Sequence, residues 1–259
     1  MSLVAEERKQ KILHMLENQG KVRVSELAEQ LDVSTETIRR HLDDLEHQQK
    51  LKKVYGGAVR NETHNELPHY ERESLHIEEK KSIGQAAADQ VDDHDTIVID
   101  EGSTPLQMIP YLKGKKNLTI MTSSIPALNR LMEYTKRREL EARVIFIGGE
   151  VSVDHLRTSG PIAEKMMEDF YVNKAFIATD GVDIDHGITS FDPNKALFTR
   201  KLIEQSGKSY IMADSSKIGT RTYVKMSTLE DVYAVVSDVP APEEWAANLQ
   251  RMETQWISS

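Results

Sequence analysis

Residues Asp100-Glu101-Gly102-Ser103-Thr104 place a glycine and two hydroxyls directly after two acids. Glycine lets the backbone approach a ligand closely. Ser and Thr hydroxyls, with the free N–H groups of a helix N-terminus, suit an anion such as phosphate. The stretch follows an apolar run and precedes a segment that reads as a helix from Pro105 to Leu112. Taken alone, a structural turn with an N-cap explains it equally well. Further runs end in similar residues: Thr122-Ser123-Ser124, Gly148-Gly149, Asp180-Gly181 and Asp214. Lys217, close after Asp214, can balance phosphate charge. Ligands of open α/β sheets bind outside the carboxyl ends of the strands, so these residues are expected to converge on one pocket.

A second group of residues has a different chemistry. Ser34, Thr35, Glu36, Thr37, Arg39 and Arg40 lie at the start of a helical stretch whose Ile38, Leu42 and Leu45 repeat at helical spacing. At 100° per residue, Glu36, Arg40, Asp43 and Asp44 fall opposite that apolar stripe. The outward face then offers side chains that reach base edges and phosphates in a major groove. Lys52, Lys53, Tyr55 and Arg60 follow, placed to grip a nucleic-acid backbone. A plain solvated helix is the competing reading, because Glu36–Arg40, Arg39–Asp43 and Arg40–Asp44 are i,i+4 pairs of opposite charge, each contributing about 0.2–0.5 kcal/mol.

The elements that carry these residues decide between the two readings. Glu6 to Glu17 reads as a helix, stopped by Gly20, and Lys21–Val24 as a short extended piece. Ser25 is expected to cap a second helix, and Ser34 a third after the break at Asp32-Val33. LKKVYGGAVR then alternates around Gly56-Gly57 as a hairpin. Helix, turn, helix and basic hairpin make a winged helix, which favours DNA binding. The polar stretch 61–79, with Pro68, reads as a linker leading into a helix. Beyond it, DTIVID, LTIMT, ARVIFIGG, KAFIATDG, SYIMAD and VYAVVSD read as buried strands separated by helical segments. That pattern is an α/β domain with a largely parallel sheet. The expected domains are residues 1–60, a linker 61–79, and 80–259.

Composition bounds the rest. The chain has 259 residues, no cysteine and a net charge of −9. Without cysteine there is no disulfide, thiol nucleophile or Cys-ligated metal. No run approaches the roughly 18 apolar residues of a membrane span, and the acidic N-terminal stretch is unlike a secretory signal; a cytoplasmic protein is expected. Residues 1–60 hold 11 basic and 10 acidic side chains, while residues 61–259 hold 22 and 32. An acidic whole does not exclude DNA binding, since salt screens exposed charges beyond about 8–10 Å. His64, His69 and His76 have no ligand-like partners at fixed spacing and read as surface histidines, and Asp183, Asp185 and His186 read as a turn before Gly187. No metal and no cofactor are expected.

The segment KVRVSELAEQLDVSTETIRRHLDDLEHQQKLKKVYGGAV resembles the N-terminal domain of the DeoR family of bacterial transcription regulators. DTIVIDEGST, GGEV, KAFIATDGVD, HGITS and ADSSKIG resemble that family's C-terminal sensor domain, so the likeness runs through most of the chain. The resemblance implies a ribose-5-phosphate-isomerase-like sensor fold and a phosphorylated sugar or related metabolite as effector. It makes Asp100, Gly102, Ser103, Thr104, Thr122, Ser124, Asp180, Gly181 and Lys217 the best pocket residues. This sequence departs from the family pattern at His41, Tyr55, Ser123, Ser215, Lys195 and Thr199. The last two replace a Glu and a Lys near the expected pocket.

The expected function is a repressor of a carbohydrate catabolic operon, acting on operator DNA as a homodimer or higher homo-oligomer and controlled by that effector. A sugar-phosphate isomerase is the alternative, with Asp100, Glu101 or Asp180 as general base; an isomerase has no need of a winged helix. A third reading makes the winged helix a protein-docking module, which predicts no salt-dependent DNA binding.

Overall fold

A computed structural model of the chain describes residues 3–47, 50–60 and 66–259. It divides into two compact units, Met1–His64 and Asn65–Ser259.

The first unit runs α1 (Leu3–Gln19), β1 (Lys21–Arg23), α2 (Val24–Gln30), α3 (Thr35–His47), β2 (Leu51–Val54) and β3 (Gly57–Arg60). Gly20, at φ +70°, ends α1, its N–H bonding Leu16 O at 2.8 Å. The second helix begins at Val24, after Arg23, and has no side-chain cap. Ser25 is therefore not the N-cap the sequence predicts: Val24 is already helical and turned into the core, so the helix starts before the serine. Ser34 does cap α3, its Oγ accepting the Thr37 N–H at 3.2 Å, a contact that contributes about 1 kcal/mol. Ile38, Leu42 and Leu45 are buried with Ile12, Leu16 and Leu27. β1 pairs with β3, and β3 with β2, all antiparallel. The hairpin turns at Tyr55-Gly56, since Val54 faces Gly57. Gly57 is required by close approach, because a Cβ there would lie 2.0 Å from Val22 O.

The second unit opens with α4 (His69–Ser74), α5 (Ile77–Ala88), β4 (Thr96–Ile99) and the single turn α6 (Ser103–Leu106), with a 3-10 turn at Ile109–Leu112. There follow β5 (Leu118–Thr122), α7 (Ile125–Lys136), β6 (Ala142–Phe146), β7 (Glu150–Ser152), β8 (Arg157–Ser159) and α8 (Pro161–Glu168). Next come β9 (Val172–Ala178), β10 (Gly181–Asp183), β11 (Gly187–Ser190), α9 (Pro193–Glu204) and β12 (Ser206–Met212). The chain ends with β13 (Val224–Ser227), β14 (Ala234–Ser237), α10 (Ala246–Met252) and β15 (Gln255–Ser258). The main sheet has the order β15-β14-β12-β9-β4-β5-β6, and each of its pairings is parallel.

Alternate residues of each strand feed two cores. Val98, Met121, Ala175, Ile177 and Ile211 pack with Ala163 and Met167 of α8 and Phe198 and Leu202 of α9. Ile97, Ile99, Ile120, Phe176 and Met212 pack with Ile83 of α5 and Leu131 of α7. Helices thus cover both faces, which leaves the carboxyl ends of the strands as the place where polar side chains gather.

Two expectations change. The helix read from Pro105 to Leu112 is instead α6, starting at Ser103, and a separate 3-10 turn. The stretch 61–79, read as linker, is built into the second unit from Glu66 onward: α4 packs against α6, and Glu66 and His69 are buried. Its polar residues are held by other polar residues, so it lacks the apolar periodicity that marks a helix. His69 is accordingly not a surface histidine, His76 is half-buried, and His64 lies outside the described residues.

Candidate functional sites

The outward face of α3 carries Thr35, Glu36, Arg39 and Arg40, all exposed, with Thr37 half-buried. The acids that were expected to neutralise the arginines are engaged elsewhere. Asp43 pairs with Lys53 of β2, and Asp44 pairs with buried Lys9 of α1 at 2.8 Å. Arg39 has an open i,i+3 contact with Glu36 at 3.7 Å, and Arg40 makes no ion pair among the described residues. The cations are thus left facing out. Lys53 has two partners within its own unit, since its N–H also bonds Glu46 Oε1 at 2.7 Å. Lys52 is exposed and Tyr55 stands fully exposed at the wing tip. The side chain of Arg60 lies outside the described residues. His41, 2 % exposed, points inward rather than along the arginine face. Burial, then Lys9, Arg40 and Arg8, hold its imidazole below the ordinary range.

In the second unit the strand ends converge, but on a richer set of residues than the motifs contain. Asp100, after β4, is buried, and its Oδ2 accepts the Ala178 N–H at 3.2 Å. Gly102, at φ +127°, closes on β9, where an added Cβ would lie 2.7 Å from Ala178 Cβ. Ser103 and Thr104 are buried in the first turn of α6. Asp180, after β9, accepts Ser190 Oγ at 2.9 Å, Phe191 N at 3.2 Å and Lys195 Nζ at 3.2 Å. Lys195 Nζ also lies 3.2 Å from Glu101 Oε1. Arg157 of β8 donates from Nη1 to Glu66 Oε2 at 2.7 Å and to Glu101 Oε1 at 2.9 Å, and from Nη2 to Asp192 Oδ2 at 2.7 Å. Arg72 of α4 holds Glu66 Oε1 at 2.8 Å.

The result is a buried cluster of Arg72, Arg157 and Lys195 among Glu66, Glu101, Asp180 and Asp192. Its charges sustain one another. Burial pushes Glu101 up, but Lys195, Arg157 and Arg72 outweigh it and hold the carboxyl below the ordinary range. Asp180 is lowered against its burial by Lys195 and Lys217. Lys195 is raised against its burial by Asp180 and Glu101. Asp100 differs: burial, reinforced by Glu101, pushes it up to about 7.

Other expected residues have structural partners. Thr122 Oγ1 accepts the Ser124 N–H at 3.1 Å, and Ser124 caps α7 through Ala127 N at 3.2 Å. Gly149 is needed for packing, its Cβ position lying 2.6 Å from Ser159 O, whereas Gly148 has open space. Gly181 likewise abuts Thr220 O at 2.6 Å. Lys217 ends the 3-10 turn after Asp214, which it helps to hold ionised against burial. Asp183 Oδ1 accepts both Asp185 N and His186 N, a turn, and the described residues contain no group suited to a metal ion. No helix among them is long and apolar enough to cross a membrane.

Motif reading missed Glu66, Arg72, Arg157 and Asp192. For Asp192 a signal exists: Asp before Pro193 is a helix start, and its Oδ1 accepts Asn194 N at 2.7 Å. The other three are isolated charges: Glu66 and Arg72 pair six residues apart at no helical spacing, and their remaining partners lie far away in sequence.

Residues 8–64 match the DeoR-like helix-turn-helix domain and residues 75–239 the DeoR C terminal sensor domain. The HTH-type transcriptional regulator YulB of Bacillus subtilis is 35% identical over 237 residues, covering 91% of this chain and 90% of its own. The glycerol-3-phosphate regulon repressor of Escherichia coli is 31% identical, covering 89% and 90%. The lactose phosphotransferase system repressor of Staphylococcus epidermidis is 31% identical, covering 90% and 91%. A solved ribose 5-phosphate isomerase from Plasmodium falciparum aligns at TM-score 0.38 and 15% identity over 54% of this chain and 52% of its own. The chain belongs to the DeoR family of DNA-binding transcription regulators and not to a family of enzymes.

Proposed function

We propose that this regulator is a repressor of a carbohydrate catabolic operon, and that a phosphorylated sugar or related metabolite controls its hold on operator DNA. The observation that carries the effector reading is the buried meeting of Arg72, Arg157 and Lys195 with Glu101 and Asp180 at the strand ends. Guanidinium and ammonium groups suit a phosphate, and carboxylates suit the hydroxyls of a sugar. Asp100, Gly102, Ser103, Thr104, Thr122, Ser124, Gly148, Gly149, Asp180, Gly181 and Lys217 frame the same strand ends. Relatives named for a glycerol-3-phosphate regulon and a lactose phosphotransferase system agree with this class of ligand.

On the DNA side, Thr35, Glu36, Thr37, Arg39 and Arg40 read the major groove, with Ser34 fixing the start of the helix. Lys52, Tyr55 and Arg60 serve the wing, while Lys53 chiefly ties the wing to α3. The protein acts in the cytoplasm as a homodimer or larger homo-oligomer, since paired half-sites lie about 34–36 Å apart along a duplex. A thermal-shift screen of pentose, hexose and triose phosphates against their unphosphorylated counterparts tests the effector class. A ligand selective for the native state raises its melting temperature by mass action. A shift with phosphorylated compounds alone is expected, and no shift with any of them defeats the reading.

A further inference from the structure

Glu66 is the least anchored acid of the buried cluster. Asp180 accepts the Phe191 N–H at 3.2 Å, and Asp192 accepts Asn194 N at 2.7 Å and Lys195 N at 3.2 Å, so both are tied to backbone. Glu101 lies two residues after β4 and precedes the Gly102 turn. Glu66 stands ahead of the six-residue α4, and its charge partners are all side chains. They are Arg157 at 2.7 Å, Arg72 at 2.8 Å and Lys195 at 3.6 Å, while His155, whose pKa burial holds below the ordinary range, lies 3.6 Å away.

The two guanidiniums also hold more donors than a carboxylate can use. Arg157 Nε and Arg72 Nε and Nη2 are buried without a hydrogen bond among the described residues, and Glu66 Oε1 is itself poorly aligned on Arg72. Buried donors without acceptors carry a penalty. A phosphomonoester brings three terminal oxygens where a carboxylate brings two, and arginine forks match it well. Adding such a dianion while Glu66 stays in place would set it against four carboxylates at low dielectric.

We infer that the Glu66 carboxylate is an internal competitor for the phosphate of the effector: the phosphate takes over Arg157 and Arg72, and Glu66 and its segment are displaced. This rests on the phosphorylated effector proposed above and adds how its binding is relayed. Glu66 is the second residue of the second unit, next to the stretch by which the chain reaches the DNA-binding unit. A ligand that binds only when Glu66 has left shifts that segment's equilibrium by its differential affinity.

The test uses the full chain, wild type and Glu66→Gln, titrated calorimetrically with inorganic phosphate and with the sugar phosphates of the thermal-shift panel. Removing the competing charge is expected to tighten phosphate binding by about tenfold or more. Equal affinity of the two proteins for a sugar phosphate that binds both overturns the competition and leaves the effector class standing. Failure of every phosphate compound to bind either protein overturns the effector class and the competition together. Because Glu66→Gln can weaken the fold, hydrogen exchange on the wild type gives a second reading. The His69 N–H bonds Asp154 O at 2.9 Å. Saturating sugar phosphate is expected to speed exchange across residues 66–74 while slowing it at residues 102–106. Unchanged or slower exchange at 66–74 overturns the displacement.

Discussion

Lys195 Nζ lies 3.2 Å from Asp180 Oδ2, and each side chain is almost wholly enclosed. A buried ammonium is tolerated only when carboxylates surround it, and Glu101 at 3.2 Å and Glu66 at 3.6 Å complete that shell. Lys195 therefore holds together acids delivered by β4, β9 and the segment before α4. The family resemblance leads one to expect an acid at this position and a lysine one turn later. Here that later position is Thr199, buried, its hydroxyl without a hydrogen-bond partner among the described residues. Lys195 and Thr199 lie one turn apart on the same buried face of α9.

Replacing Lys195 by Met is expected to strand Asp180 and Glu101 without a counter-charge. Breaking one side of a buried pair costs on the order of 3–5 kcal/mol. The loss should fall in the second unit and be partly recovered by adding Asp180→Asn. Thermal denaturation of the two single variants and the double variant measures the coupling. Additive losses would show that Lys195 and Asp180 do not act as a pair.

Asp100 sets a pH dependence of the opposite sign to the usual acid. Its folded value is raised to about 7 from an ordinary 3.8, by burial first and Glu101 second. The native state therefore binds the extra proton between those values. Stability from this group is full below about pH 4 and is lost as pH rises through about 7. The difference is on the order of 4 kcal/mol. In Asp100→Asn the constant cost of substitution is the same at every pH, so the slope is the readout. Urea midpoints across that window should fall for wild type relative to the variant, and parallel curves would refute the raised value.

Much of the scaffold was legible because it is written in apolar periodicity. The run LTIMT is strand β5 with the same bounds, and Ile38, Leu42 and Leu45 form one buried stripe. Short strands such as β7 and β15 escaped, having three or four residues and partly exposed faces. The strand-end motifs lie at the carboxyl edge of the sheet, where Thr122 and Ser124 serve a turn and a cap. Glu66, Arg72 and Arg157 left no local pattern: Glu66 and Arg157 meet across 91 positions of chain. Polar residues satisfied by distant polar residues look, in sequence, like a solvated linker.

His41 directly follows the arginine pair, where the family resemblance leads one to expect an acid, and its burial ties it to the stability of the first unit. Its pKa is held below 6.5, by burial first and then by Lys9. The unfolded chain takes up the proton first, so stability falls as pH drops below about 6.5. His41→Asp would instead set a carboxylate near Lys9, Arg40 and Arg8. Acidification from about pH 7 to about pH 5 should then lower the melting temperature of the first unit less than in wild type. Operator selection should rank the same sequences for both proteins, and a changed ranking would mean that His41 bears on DNA contacts.

Arg40 and Lys53 separate the proposed DNA-reading face from the cations that hold the unit together. Arg40 is exposed on α3 without an ion pair among the described residues, whereas Lys53 is paired with Asp43 and bonded to Glu46. A cation that neutralises one duplex phosphate contributes about 0.9 to the slope of log affinity against log salt. Arg40→Ala is therefore expected to weaken binding to duplex DNA and to reduce the slope by about 0.9. Lys53→Ala should lower the stability of the first unit, because it frees Asp43 and loosens the wing. Its salt slope should stay close to that of wild type. Fluorescence anisotropy over a salt series, with melting curves for each variant, distinguishes the two roles. An unchanged slope in Arg40→Ala would mean that the outward arginine is only a solvated helix face, and a full unit lost in Lys53→Ala would place the wing lysine on a phosphate.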